Sequence, residues 1–113
     1  MIETRLGDFE ETLMLMVGIL GEEAYAFQIS KAFEQRTGRT ISIGAVHSTL
    51  DRLETKGFLR SGLKNATSER GDRRKRIFDI TALGKRVLKD SMEFKVSLWK
   101  DYPAFANKLG FTD

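Results

Sequence analysis

A chain of 113 residues, 41% hydrophobic and 31% charged, has the size of one folded domain with a single core and too much apolar content to remain disordered. It contains no cysteine, which excludes disulfides and thiolate metal sites and suits a reducing cytoplasm. The net charge of +3 conceals a segregation, since residues 1–35 hold two basic side chains against seven acids, residues 36–89 fourteen against five, and residues 90–113 three against four. A positive side of this kind is the footprint of a polyanion-binding surface, with a merely solvated basic loop as the plain alternative. The longest apolar run, Leu13 to Leu20, is broken by Gly18 and far too short to span a bilayer. Met1 to Arg5 lacks the layout of a signal peptide. A cytoplasmic protein without membrane contact is therefore expected.

Asp8 is placed to cap a first helix over about Phe9 to Leu20, with Glu10 and Glu11 favourable in its first turn. Phe9, Leu13, Met16, Val17 and Leu20 follow helical spacing and read as core. After Gly21-Glu22-Glu23, a second helix from about Tyr25 to Arg36 is expected to bury Phe27, Ile29, Ala32 and Phe33, with Gly38 closing it. Ile41 suits a short strand or bridge.

Ser42 caps the third helix, which puts Ile43, Val46, Leu50 and Leu53 on one stripe. Its opposite face presents His47, Ser48, Asp51, Arg52 and Thr55, and Gly57 ends it. A strand, Phe58 to Arg60, follows directly. About fifteen polar residues then separate it from a second strand, Ile77 to Ile80, a length that predicts a mobile tip. That connection ends in Arg70-Gly71-Asp72-Arg73-Arg74-Lys75-Arg76.

Thr81 caps a long fourth helix, about Ala82 to Asp101. Leu83, Val87, Phe94, Leu98 and Tyr102 form one stripe, with Leu88, Met92, Val96 and Trp99 beside it. So wide an apolar arc calls for a second subunit as cover. Pro103 ends this helix or starts a short one carrying Phe105, Ala106 and Leu109. The order predicts a mainly α protein with a small β-hairpin: a winged helix–turn–helix over residues 1–81, then a dimerisation helix and tail over 82–113 of the same domain.

In that architecture the third helix enters a DNA major groove and the hairpin meets the flanking phosphates. Ser42, His47, Ser48 and Thr49 are the candidate base-reading groups. Arg52 is expected to reach a phosphate, as are Arg70, Arg73, Arg74, Lys75 and Arg76. Tyr25 suits either a phosphate contact or a half-buried core position. Phe9, Leu13, Phe94, Leu98, Trp99 and Tyr102 are candidates for a dimer interface or effector pocket. The single histidine, with Asp51 four residues on, suits a hydrogen bond better than a metal site. No cofactor is expected, and neither a Cys nucleophile nor a phosphate-binding Gly-rich loop supports an enzyme.

The same residues resemble the PadR family of bacterial transcriptional regulators, in particular its short members with one C-terminal helix. The similarity runs from about Leu6 to Leu88. It rests on Leu6-Gly7-Asp8-Phe9-Glu10-Glu11, on Ser42 to His47, on Leu50 to Gly57, on the basic segment Glu69 to Arg76, and on Thr81-Ala82-Leu83-Gly84. The family usually has tyrosine in place of His47, aromatic residues at both Ile77 and Phe78, and a basic residue near Asp79. The resemblance implies a homodimeric repressor of an inverted-repeat operator, released by a small molecule, with a planar aromatic compound stacking near a tryptophan of the last helix. A winged-helix module for an acidic protein partner, and a ligand-binding dimer without specific DNA readout, are the competing readings.

Overall fold

Each helix begins where the sequence offers its backbone a partner. The computed structural model describes residues 6–65 and 74–105. Helix α1 spans Asp8–Leu20, and Gly7, not Asp8, is its N-cap. The Gly7 N–H donates to Glu10 Oε1 at 2.9 Å, so a side chain three residues into the helix does the capping expected of Asp8. Helix α1 buries Leu13, Met14, Met16 and Val17, while Phe9 and Leu20 are only partly covered. A single 3-10 turn, Gly21–Glu23, follows.

Helix α2, Ala26–Thr37, turns Ala26, Ile29 and Phe33 inward and closes on Gly38 in the left-handed conformation. Phe27, expected in the core, is 64% exposed. With Ile29 and Phe33 inward, the residue two before Ile29 falls on the far side of a 3.6-residue turn. Ile41 joins no strand or bridge.

Helix α3, Ile43–Thr55, starts at Ser42, whose Oγ accepts from the Ala45 N–H at 3.1 Å. Val46, Thr49, Leu50 and Leu53 form its buried stripe. Ile43 lies in the first turn, beyond the edge of the core, and is exposed. Gly57 takes φ 85°, a conformation that side chains resist. This lets the Phe58 N–H reach back to the Leu53 carbonyl at 3.0 Å. Phe58 is thereby sent into the centre of the core.

Strands β1 (Leu59–Asn65) and β2 (Arg74–Ile80) pair antiparallel from Leu59↔Ile80 to Asn65↔Arg74. Both are longer than their apolar residues suggested, because backbone pairing continues through the polar ends. The expected mobile tip lies outside the described residues. On the inner edge the Phe78 N–H donates to the Ala24 carbonyl at 2.9 Å, which ties the hairpin to the approach to α2.

Helix α4 spans Ala82–Asp101, as its pattern predicted. The Thr81 hydroxyl accepts from the Gly84 N–H at 3.0 Å and donates to the Gly57 carbonyl at 2.6 Å. Gly84 rests on the backbone just before β1: a Cβ there would stand 2.2 Å from the Phe58 carbonyl oxygen. The helix also meets α1, where Ser91 Oγ donates to Glu11 Oε1 at 3.1 Å and Lys95 bridges Glu11 and Asp8. Helical geometry resumes at Pro103 through Phe105, while Ala106 and Leu109 lie outside the described residues.

Leu13, Met14, Ile29, Val46, Leu50, Leu53 and Phe58 are wholly buried, each contributing about 1.5–3 kcal/mol of transfer free energy. Leu13, a candidate interface residue by sequence, belongs to this core and is out of reach of a partner. Among the described residues no helix is long and apolar enough to cross a membrane.

Candidate nucleic-acid interface

The exposed face of α3 carries His47, Ser48, Asp51, Arg52 and Thr55. Thr49, a candidate base-reading residue, is 4% exposed and fills the helix's inner stripe. Ser42 is exposed, and its Oγ accepts from the Ala45 N–H of its own helix while its O–H proton remains able to donate. His47 and Ser48 are exposed polar groups in the first half of the helix.

A shallow groove of about 210 Å³ runs between the start of α2, α3 and β2. It is lined by Tyr25, Ala26, Phe27, His47, Lys75, Arg76 and Phe78. The groove brings the reading face of α3 and the base of the wing to one side of the molecule. Tyr25 is half-buried at its edge, with the Lys75 ammonium 4.3 Å from the ring centroid, inside the range of a cation–π contact.

The basic residues divide into two groups. Arg52 Nε donates to Glu10 Oε2 at 2.9 Å, and Lys56 Nζ donates to the same oxygen at 3.1 Å. Arg60 pairs with Asp79 at 3.0 Å. Arg76 is held by Asp51 at 3.1 Å and by Glu54. These cations tie elements of the fold together. Lys64, Arg74 and Lys75, in contrast, make no ion pair with an acid among the described residues. Register puts Lys64 directly opposite Lys75, a like-charge pair that costs stability unless an anion lies nearby. Lys64 was not among the sequence candidates. Its signal was the alternation Arg60, Gly62, Lys64 along one face of β1, legible only once the strand's length is known. Arg70 and Arg73 lie outside the described residues.

Local charge shifts the titrating groups accordingly. Burial opposes ionisation of Glu10, but the Gly7 N–H, Arg52 and Lys56 outweigh it and hold the carboxyl below its usual range. The Arg60 guanidinium lowers Asp79 in the same way. Burial works against the charge on Arg76, yet Glu54 and Asp51 raise its pKa overall. Glu11 raises Lys95. Among the described residues no group of three or more His, Cys, Asp or Glu side chains is placed to hold a metal ion.

Along α4 a second surface remains uncovered. Phe94 is 64% exposed, Leu98 53% and Trp99 44%, and Met92 and Tyr102 are exposed with them. Trp99 packs against Phe105, ring centroids 4.0 Å apart and planes tilted by 34°, and Tyr102 lies beside the pair. Phe9 sits elsewhere, edge-on to Phe33 at 5.7 Å, in the chain's own packing rather than on that surface.

Three helices with the third packed across the second, followed by an antiparallel wing, define a winged helix–turn–helix protein. Residues 15–90 match the model of the transcriptional regulator PadR-like family. The chain belongs to that family, whose members are transcription regulators and not enzymes. No curated protein sequence matches the chain at a significant level.

Several solved structures share the fold. RosR of H. salinarum is 22% identical over 94% of this chain and 88% of its own, with a TM-score of 0.65. A PadR family transcriptional regulator from Eggerthella lenta is 25% identical over 89% and 82%, with a TM-score of 0.58. Bacillus subtilis PadR, solved in complex with operator DNA, is 17% identical over 75% of this chain and 46% of its own, also at 0.58.

Proposed function

We propose that the protein is a homodimeric, sequence-specific DNA-binding repressor. The observation that carries this reading is the shared groove, which sets His47 of α3 and Lys75 of the wing on one side of the molecule. Helix α3 lies in the major groove, with His47 and Ser48 at base edges. Lys75, Arg74 and Lys64 rest on phosphates, where the opposed lysines find their counter-charge. Arg70 and Arg73, from the basic run in the sequence, add to the same contact. The exposed apolar stripe of α4 pairs with its symmetry mate, so that two reading heads meet an inverted repeat. Bound there, the dimer blocks transcription. A planar aromatic effector stacking at Trp99 between subunits would alter the spacing of the heads and release it. The Bacillus subtilis relative bound to operator DNA supports this mode of action.

Selection of bound fragments from a random duplex pool tests the reading. The expected product is an inverted repeat with half-site centres about 34 Å apart, or a multiple of it. A pool that enriches no sequence at physiological salt would overturn it and favour a protein-binding module.

A further inference from the structure

We propose that Arg76 is a positioning residue: it buckles the wing to the recognition helix and so sets operator discrimination, without holding a phosphate itself. This rests on the DNA-binding reading above. Every nitrogen of the guanidinium is already engaged. Nε donates to Ser61 Oγ at 2.9 Å, Nη1 to Asp51 Oδ1 at 3.1 Å, and Nη2 to Glu54 Oε1. The Arg76 guanidinium carbon stands 4.8 Å from the centroid of the Phe78 ring. Ser61 completes the network, its hydroxyl lying 2.9 and 3.0 Å from the two Glu54 oxygens. One side chain of β2 thus joins β1 to two successive turns of α3.

The charge arithmetic separates this arginine from its neighbours. Two carboxylates surround a single guanidinium, so the cluster is net negative and repels a phosphate. Lys75, next in the strand, has no such neutralisation among the described residues and reaches the groove. Asp51 lies one helical turn beyond His47 and Glu54 a further turn along, so the clamp grips the helix just behind its reading residues. Fixing the wing there fixes the distance between the phosphate-bound lysines and the base-reading side chains. A wing free to swing would hold phosphates in many registers and lose the penalty for a wrong base.

Arg76→Lys tests the idea, because lysine keeps the charge yet cannot bridge two carboxylates and a hydroxyl. Glu54→Gln approaches the same network from α3 and covers the case in which the first variant folds poorly. Binding to the selected operator and to random duplex is measured across a salt series by fluorescence anisotropy. Both variants are expected to lose about tenfold in discrimination, with the salt slope on random duplex unchanged. Lys75→Ala should instead lower that slope by about 0.9. A slope that falls by the same amount in Arg76→Ala, with Arg76→Lys restoring both slope and discrimination, would make Arg76 a phosphate contact and overturn the proposal.

A second readout needs no DNA. The chain has no cysteine, so spin labels at Ser48→Cys and Lys64→Cys, in labelled chains diluted with an excess of unlabelled chain, report the distance from wing to α3 within one protomer. The distance distribution should broaden when Arg76→Lys is added. An unchanged distribution would sink the buckle whatever the protein binds, whereas a broadened one with no operator preference would fault the DNA-binding reading alone.

Discussion

The Glu10 carboxylate caps α1 through the Gly7 N–H and holds Arg52 and Lys56 of α3, so removing its charge acts on two helices at once. It is almost fully buried, and its loss as Glu10→Gln should cost about 2 kcal/mol. Its folded pKa is depressed, so its contribution is present above the unfolded carboxyl pKa and disappears as pH falls through the lower folded value. Thermal melts from neutral to acid pH should show the wild type losing stability more steeply than Glu10→Gln. Parallel acid limbs would show that the carboxylate is not coupled to folding. Residue-level reading of the sequence put Glu10 in the first turn but could not supply its basic partners, which lie more than forty positions away.

At the scale of elements, α4 approaches the junction of α3 and β1 closely enough to exclude a Cβ at Gly84. Thr81 and Gly84 are two parts of one device: the hydroxyl bonds across to Gly57, while the missing Cβ lets α4 settle onto the Phe58 carbonyl. Gly84→Ala should therefore cost about 3 kcal/mol in urea denaturation, at the upper end of overpacking. Gly44→Ala, with open space around its Cβ, should gain about 0.5–1 kcal/mol from helix propensity alone. Equal effects at the two sites would refute the close approach. Both ends of α4 and the Ser42 cap of α3 were legible because caps are local chemistry. Strand length was not, because beyond Ser61 and Phe78 the hairpin has little apolar alternation to read. The exchange of Ile43 for Thr49 on the buried stripe of α3 arose similarly: spacing allowed both, and only the position of the core's edge chose between them.

At the scale of the whole molecule, α4 is two different helices in one. Its first half buries Gly84 and Val87, while its second half exposes Phe94, Leu98 and Trp99, a surface that asks for cover. In the proposed dimer, Leu98→Glu should leave only monomer in sedimentation velocity at micromolar concentration, without lowering the melting temperature of the winged core by more than a few degrees. The full inverted repeat should then bind no more tightly than one half-site, since the second head no longer arrives with the first. A dimer that survives this change would place the interface elsewhere.

The sequence by itself determined the order of the helices and the hairpin, the caps at Ser42 and Thr81, the approximate span of the last helix and the family. These depend on neighbours three or four residues apart or on composition over tens of residues. The tertiary structure decided which arginines are struts, which lysines keep their charge available, and that Thr49 faces inward while Phe27 faces out. Such outcomes turn on partners such as Asp51 and Arg76, 25 positions apart, and no periodicity in a chain records what folding will bring against it.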